Sequence, residues 1–219
     1  MNLLVIGSSD QSLECQEKFG KQHTIVTSLN LGEAQHRLSS AEVLFDFVTP
    51  AEPGRASAYP QTYDKYIFFD TSTTRLSDVV SAAPWLRHHA IGFCGLQTLV
   101  NRELLEIAVL NESDTTRVKQ LCGQLGTDFR IVADQAGMVT PRVLCMIINE
   151  AYFTLEEGTA SRKDIDLAMK LGTNYPYGPF EWGDRIGLKN VVRVLQAAGS
   201  DSGDPRYAVC PLLLRQAGG

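Results

Sequence analysis

The amino-acid sequence predicts an α/β domain with a mainly parallel sheet, followed by an all-α domain. In the first half of the chain, short apolar runs alternate with polar, helix-permissive segments, which is typical of α/β folds. From Pro141 onward the apolar residues recur at helical spacing, as at Val143, Ile147 and Ala151. Between these patterns, residues 135–137 (Gln-Ala-Gly) supply a flexible break. We therefore predict domains over residues 1–133 and 134–219.

The elements of the α/β domain follow one another in alternation. Apolar runs bounded by polar residues or glycine predict seven strands, at residues 2–7, 23–28, 42–48, 66–69, 90–94, 105–110 and 129–132. Helical patterns lie at residues 10–19, 31–38, 75–82 and 113–125, the last with Ser113 as its expected N-cap. Residues 51–65 contain prolines and a glycine and are predicted to form a loop. In the helical domain, Gly158 is expected to end the first helix.

Composition excludes several classes of protein. Of the 219 residues, 44% are hydrophobic and 21% are charged, and the net charge is −5 at neutral pH. An acidic chain without a run of Lys or Arg is not expected to bind nucleic acid or an anionic membrane. No window approaches the 18 or so apolar residues that a membrane helix needs. The expected partners are therefore small molecules or proteins, and we expect a soluble chain.

The five cysteines are scattered, odd in number and without CxxC spacing. This arrangement supports neither a disulfide framework nor a metal site. We expect no bound metal and a cytoplasmic location, where thiols stay reduced.

The start of the chain has the order of a dinucleotide-binding unit: an apolar strand, a glycine, a polar turn and a helix. Of the GxGxxG fingerprint only Gly7 is present, and Ser9 and Ser12 stand at the other two glycine positions. The acid expected at the end of the second strand, for the ribose hydroxyls, is replaced by Thr27 and Ser28. NAD binding through Gly7, Ser9 and Ser12 is thus weakened but not excluded, and Gly7 alone is also explained as a turn glycine in a retained fold.

Motifs in the second half carry a family resemblance. The segment EEGTASRKDIDLAMKLG contains the triplet Asp164-Ile165-Asp166, and NYPYGPFEWGDRIGL follows with Gly178-Pro179-Phe180-Glu181. This order of unlike residue types resembles the C-terminal domain of the 3-hydroxyacyl-CoA dehydrogenases. The resemblance covers nearly the whole chain, strongly after Asp134 and weakly before it. It implies a Rossmann-like N-terminal domain, here reduced, and an all-α C-terminal domain of the 6-phosphogluconate/3-hydroxyacyl-CoA dehydrogenase type.

The resemblance also implies which N-terminal parts are altered. The long helical arm by which the family holds the CoA nucleotide is missing, because only about a dozen residues separate Ser28 from Ala41. Asp46 falls where an acidic residue of the family contacts the nicotinamide half of NAD. A carboxylate with a purely structural role at a strand end explains Asp46 equally well.

The family's catalytic pair is a histidine, which takes the hydroxyl proton, and a glutamate that orients it. Alignment on Gly92 and on Leu105-Glu106-Ile107 places Glu106 on the glutamate and Cys94 on the histidine. A shift of three residues places Gln97 there instead and loses the glutamate match. Because a thiol beside a carboxylate is pushed toward its neutral form, Cys94 is expected to be a poor base or merely a small core residue.

Two further polar residues of the family's active site are replaced in this chain. In the turn of residues 70–75, DTSTTR, Thr74 falls on a serine of the family that hydrogen-bonds the substrate hydroxyl. Pro141 stands in place of a catalytic asparagine, where proline suits the first turn of a helix. Arg142 beside it is expected to form a structural ion pair.

Two functions are open on this basis, and whether the chain is an enzyme is open with them. The losses favour a degenerate, non-catalytic relative, retained as a dimeric scaffold that binds a ligand or partner. The alternative is an active NAD-dependent oxidoreductase of a 3-hydroxyacyl thioester, as in fatty-acid metabolism, or of a small 3-hydroxy acid. The resemblance implies a homodimer through the C-terminal domain, for which Tyr152, Phe153, Trp182 and Val191 are the predicted contacts.

Overall fold

A computed structural model of the chain describes residues 1–218. Its contacts divide the chain into two compact units, Met1–Met138 and the residues from Val139 onward. Residues 134–138 thus belong to the first unit and not, as predicted, to the second. The Asp134 carboxylate contacts this unit, since it accepts hydrogen bonds from the backbone N–H groups of Leu76 (2.6 Å) and Ser77 (2.9 Å).

The first unit is an α/β domain around one seven-stranded sheet. The strands are β1 (Asn2–Ile6), β2 (Thr24–Ser28), β3 (Val43–Asp46), β4 (Tyr66–Asp70), β5 (Ala90–Phe93), β6 (Leu104–Ala108) and β7 (Asp128–Ile131). The helices are α1 (Ser9–Phe19), α2 (Leu31–Ala34), α3 (Leu76–Ser81) and α4 (Thr115–Leu125). The spatial order is β2-β1-β3-β4-β5-β6-β7, and every pair is parallel except β5–β6. The predicted fold class and all seven predicted strands are confirmed.

Both faces of the sheet are covered, because successive residues of a strand point to opposite sides. Leu4 and Ile6 pack with α2 and α3 on one face, whereas Leu3 and Val5 pack with α1 and α4 on the other. This burial on both sides explains why the central strands read as continuous apolar runs. The order of the strands reverses between β1 and β3, so the carboxyl ends of these two strands border the crevice in which such sheets bind ligands.

Three local expectations differ from the structure. Helix α4 begins at Thr115 with Asp114 at its N-cap, because residues Glu112–Asp114 form a 3-10 turn, so Ser113 is not the cap. Helix α2 is only one turn long and continues as a 3-10 segment over Gln35–Ser40. The predicted loop of residues 51–65 contains a 3-10 segment, Pro53–Ala58.

The second unit is all helical, as predicted. Its helices are α5 (Thr140–Glu156), α6 (Arg162–Thr173), α7 (Pro179–Ile186), α8 (Leu188–Ser202) and α9 (Pro211–Gly218). Tyr152 and Phe180 meet edge to face in its core with ring centroids 5.0 Å apart. The buried Asn149 of α5 holds the segment before α9, since its amide donates to the Ala208 carbonyl (2.9 Å) and its oxygen accepts from Cys210 N–H (2.8 Å).

Tyr152 and Val191 are fully buried within this unit. The prediction that these two side chains form a dimer surface is therefore wrong, because they already pack inside their own chain. None of the helices of residues 1–218 is both long and apolar enough to cross a membrane.

Candidate functional site

A cavity of about 570 Å³ lies at the carboxyl ends of β1 and β2. Gly7, Ser9 and Ser12 line it from the turn into α1 and from the first turn of that helix. The structure thus brings the three predicted cofactor residues together around one space. Thr27 and Ser28, which replace the expected acid at the end of β2, line it from the opposite side.

The start of α1 is closed by a capping box that the sequence analysis missed. The Ser8 hydroxyl accepts a hydrogen bond from Gln11 N–H (3.3 Å), and the Gln11 side chain accepts one from Ser8 N–H (2.9 Å). The S-x-x-Q pattern of residues 8–11 could have revealed it. The amide oxygen of Gln11 lies 2.7 Å from the point that a Cβ on Gly7 would occupy. The close approach of Gln11 and Phe47 therefore favours glycine at position 7 independently of any ligand.

The far wall of the cavity carries a cation that the sequence analysis also missed. Arg37 lies half-buried there, and its Nη1 donates to the Thr27 carbonyl (2.6 Å) and to the Ser28 hydroxyl (3.3 Å). In the sequence, a basic residue that follows a strand without a terminal acid could have indicated this cation. Two large apolar side chains, Leu13 and Leu29, also line the cavity, and they are 60% and 65% exposed.

Asp46 ends β3 and is completely buried. Its Oδ1 accepts from Val48 N–H (2.8 Å) and Thr49 N–H (2.9 Å), and its Oδ2 accepts from the Tyr59 hydroxyl (2.7 Å). Burial raises the pKa of Asp46, and these hydrogen bonds oppose the shift. Through these contacts the Asp46 carboxylate organises the loop after β3. They agree with the structural role, one of the two interpretations of Asp46 from the sequence.

The predicted catalytic pair does meet in space. Strands β5 and β6 are antiparallel with Phe93 opposite Ile107, and Cys94 N–H donates to the Glu106 carbonyl at 3.2 Å. Cys94 and Glu106 are thus neighbours across two strands. The Glu106 carboxylate is buried, and Arg102 Nη2 lies 3.8 Å from it.

The environment of Cys94 suppresses its ionisation. The side chain is 0% exposed. Burial raises the pKa of the Cys94 thiol to about 12, the charges of Asp70 and Glu106 act in the same direction, and the Arg102 guanidinium opposes them. A thiol with such a pKa is neutral near pH 7 and cannot take a proton from an alcohol.

Asp70 is a second carboxylate at the carboxyl edge of the sheet, where β4 ends. Its Oδ1 accepts from Ser72 N–H (3.0 Å), the Ser72 hydroxyl (2.6 Å) and Gly95 N–H (2.9 Å). Burial raises the pKa of Asp70, and the nearby charge of Asp46 adds to the effect. The sequence analysis used Asp70 only as the start of the turn that contains Thr74, which is half-buried there.

Pro141 and Arg142 belong to the second unit. Pro141 is buried in the first turn of α5, as predicted from its fixed backbone geometry. Arg142 lies 4.0 Å from the Asp201 carboxylate and donates to the Tyr207 hydroxyl at 3.0 Å. The structural ion pair predicted for Arg142 is confirmed.

The family motifs of the second unit also have structural contacts. The Asp166 carboxylate accepts from Phe180 N–H at the start of α7 (2.8 Å), and Glu181 accepts from Gly178 N–H (3.0 Å). Lys170 pairs with Glu181 at 2.7 Å. Among residues 1–218, no group of three or more His, Cys, Asp or Glu side chains is arranged to hold a metal ion.

Comparisons with known proteins agree with this architecture. Residues 137–217 match the family described as 3-hydroxyacyl-CoA dehydrogenase, C-terminal domain. The chain is 42% identical to a 3-hydroxyadipyl-CoA dehydrogenase of Escherichia coli (strain K12) over 50% of this chain and 23% of the relative. It is 31% identical to a 3-hydroxybutyryl-CoA dehydrogenase of Bradyrhizobium diazoefficiens over 67% of this chain and 50% of the relative.

The chain therefore spans at most about half the length of these two relatives. Among solved structures, its fold is similar to that of an (S)-3-hydroxybutyryl-CoA dehydrogenase from Ralstonia eutropha. The TM-score is 0.73 at 19% identity, with 99% of this chain and 93% of the other covered. From its motifs, its fold and these relatives, the chain belongs to the 3-hydroxyacyl-CoA dehydrogenase family, and residues 137–217 match the C-terminal domain of that family.

Proposed function

We propose that this protein is a 3-hydroxyacyl-CoA dehydrogenase-like scaffold that does not catalyse hydride transfer, and that it binds a ligand or partner as a homodimer. The observation that carries this proposal is the state of Cys94. In the alignment with the family, Cys94 falls on the histidine that acts as the base, and here it is completely buried and has a pKa raised to about 12. Replacing a general base by a neutral thiol costs about a hundredfold or more in rate.

The turn before α1 supports weak NAD binding at most. In dinucleotide-binding folds the second glycine lets the backbone approach the pyrophosphate, and the helix N-terminus supplies N–H donors. Here the Gln11 side chain lies over Gly7, and the capping box uses the N–H groups of Ser8 and Gln11 internally. Asp10 adds a negative charge to the first turn of the helix. Each of these features disfavours a pyrophosphate at this turn.

The proposal is tested first by titrating the purified chain with NAD and with NADH, following heat by calorimetry and the fluorescence of the nicotinamide. We expect no binding below millimolar cofactor. In parallel, oxidation of NADH by a 3-oxoacyl-CoA thioester is measured with wild type and with Glu106→Gln as the matched control. Micromolar NAD binding together with turnover that Glu106→Gln abolishes would overturn the proposal. That result would establish the alternative, an active oxidoreductase of acyl thioesters or small 3-hydroxy acids.

The Cys94→His variant extends this test. It returns an imidazole to the position opposite Glu106, and circular dichroism checks that the buried site accepts the larger side chain. A gain of NADH oxidation in the variant, from none in wild type, would show that the missing base is what separates this chain from its active relatives.

The proposed homodimer rests on exposed apolar residues of the second unit. Leu167, Leu171 and Tyr175 are exposed at spacings of four residues on and just after α6. Residues four apart lie on the same side of a helix, so Leu167 and Leu171 form one apolar stripe on α6. A cytoplasmic location is also proposed, because the five cysteines are free thiols and a reducing compartment keeps them so.

A further inference from the structure

We infer that the cavity at the ends of β1 and β2 binds the phosphorylated ribose of an adenosine nucleotide, with Arg37 as the residue that recognises the phosphate. This inference deepens the proposed role as a ligand-binding scaffold and rests on it. It concerns binding alone and requires no hydride transfer.

Arg37 gives the cavity a positive charge. Arg37 makes no ion pair within the described part of the chain, and only its Nη1 is hydrogen-bonded there, to Thr27 and Ser28. The other guanidinium N–H groups remain available as donors. Planar guanidinium groups bind phosphate oxygens through parallel, charge-assisted hydrogen bonds.

The one carboxylate that lines the cavity does not neutralise this cation. Glu33 accepts from Leu29 N–H and from the Asn30 side-chain amide, both at 3.2 Å. It thereby serves the start of α2, where Asn30 is the N-cap. A phosphate would therefore meet Arg37 without displacing an existing ion pair.

The position of Arg37 favours a ligand with a phosphate on its ribose. In dinucleotide-binding folds an acid at the end of the second strand holds the free ribose hydroxyls, and an arginine nearby accommodates a phosphate on the ribose. Here Thr27 and Ser28 end the strand, and Arg37 is bonded to both. The arrangement thus favours a ribose phosphomonoester over a free diol.

The apolar part of the cavity fits the base. Leu13 and Leu29 line it, and they are the most exposed of the large apolar side chains in the described first unit. Burying their surface against a flat purine is favourable, whereas leaving it in water is not. The contacts proposed here for the base and the ribose phosphate do not involve Gly7, where the Gln11 side chain lies.

Two sources share this chemistry: a 2′-phosphorylated dinucleotide and the 3′-phosphorylated adenosine of a coenzyme A thioester. The test titrates the full chain by calorimetry with adenosine 2′-monophosphate, 3′-monophosphate and 5′-monophosphate, and with NAD. We expect the 2′- or the 3′-isomer to bind at least about tenfold more tightly than the 5′-isomer and NAD. The preferred isomer identifies the source. Equal binding of all isomers, or none at millimolar ligand, would overturn the inference.

Variants then locate the phosphate. Arg37→Gln should weaken binding of the preferred isomer by about tenfold to a hundredfold, and Arg55→Gln, an exposed arginine of a surface ion pair elsewhere in this unit, should leave it unchanged. If Arg37→Gln does not fold, Thr27→Asp provides the same test. It adds a carboxylate beside Arg37 at an exposed position and should weaken phosphate binding likewise. Wild-type affinity in a folded variant of either kind overturns the inference.

The failure of this inference and that of the proposed function are distinguishable. Turnover of NADH with a 3-oxoacyl thioester would overturn the non-catalytic function, whatever isomer binds. Loss of isomer preference would overturn the role of Arg37, whatever the rate of hydride transfer.

Discussion

At the residue scale, burial decides what chemistry each polar side chain can perform. Cys94 and Asp46 are both reactive groups in water, yet both are 0% exposed here. Desolvation favours the neutral form of an acid, so it raises the pKa of both. Asp46 also satisfies three donors of its own loop. Both residues thus contribute to the fold at positions where the family resemblance implies chemistry.

The cysteines provide a direct test of this effect. Burial raises the pKa of Cys15 and of Cys94 to about 12 and that of Cys122 to about 11. Because only thiolates react, we expect a thiol reagent at about pH 8 to label none of the five cysteines of the native protein and all five after denaturation. Mass spectrometry of labelled peptides gives the measurement.

As a positive control, Ser57→Cys places a thiol at an exposed position of the first unit and should react within minutes. Labelling of Cys94 at a comparable rate in the native protein would contradict the assignment of a neutral, inaccessible thiol.

Asp46→Asn tests the buried charge through pH. Since the pKa of Asp46 is raised in the folded protein, the folded state holds the proton more tightly than the unfolded chain. The resulting stabilisation is complete below the ordinary Asp pKa of about 4 and is lost as pH rises through the folded value. Urea unfolding of both proteins should show the free energy of unfolding of Asp46→Asn gaining on that of wild type from pH ~4 upward.

The comparison variant is Asp46→Ala, which removes the acceptor of Val48 N–H, Thr49 N–H and the Tyr59 hydroxyl. We expect it to be less stable than wild type by about 1–3 kcal/mol, because buried donors lose their partner. A difference between Asp46→Asn and wild type that does not change with pH would refute the buried-charge argument.

At the element scale, the family motifs of the second unit position helix ends. Asp166 of α6 accepts from Phe180 N–H in the first turn of α7, and Gly178 lies directly against it. A Cβ on Gly178 would fall 2.2 Å from an oxygen of Asp166. The fixed order of Asp-Ile-Asp and Gly-Pro-Phe-Glu therefore reflects the packing of two consecutive helices.

Gly178→Ala should accordingly destabilise the protein by about 1–3 kcal/mol, because the added methyl group displaces the Asp166 carboxylate from its hydrogen bond. Thermal or urea unfolding measures the change. Gly172→Ala is the matched control, since the same substitution meets nothing within 4 Å near the end of α6. That control should be neutral or more stable by up to about 1 kcal/mol. Equal effects of the two substitutions would contradict this account.

At the scale of the whole molecule, the apolar stripe of α6 is a surface that remains exposed to solvent in the single chain. Leu171 is 78% exposed, and Leu167 is exposed four residues before it on the same helix. The contacts expected from the sequence, Tyr152 and Val191, are instead in the core of the unit. If the protein dimerises through its helical domain as proposed, the stripe is the surface to test.

Leu171→Asp should convert a dimer into a monomer, because it would bury an unpaired charge in the interface. Light scattering after size-exclusion chromatography measures the mass of each form. Gln124→Asp, which adds the same charge at an exposed position of α4 in the first unit, should remain dimeric. A wild-type protein that is monomeric at high micromolar concentration would refute the proposed assembly.

Local patterns in the sequence predict the fold class, the seven strands and the helical character of the second unit. These follow from apolar periodicity and from turn residues, which are local properties of the chain. The sequence also paired Cys94 with Glu106, because a family alignment without gaps fixes which residues of neighbouring strands meet. The bounds of short elements were less accurate, as Ser113 shows, since a helix end depends on capping contacts.

The burial, the protonation and the neighbours of the site residues depend on the tertiary fold. That Cys94 is buried, that Gln11 lies over Gly7 and that Arg37 lines a cavity with Ser9 and Ser12 are facts about groups brought together by folding. Burial also placed Tyr152 inside the helical core, where the sequence could not distinguish a core face from an interface face. The physical reason is that solvation and the proximity of charges are properties of the packed chain, whereas periodicity is a property of the sequence.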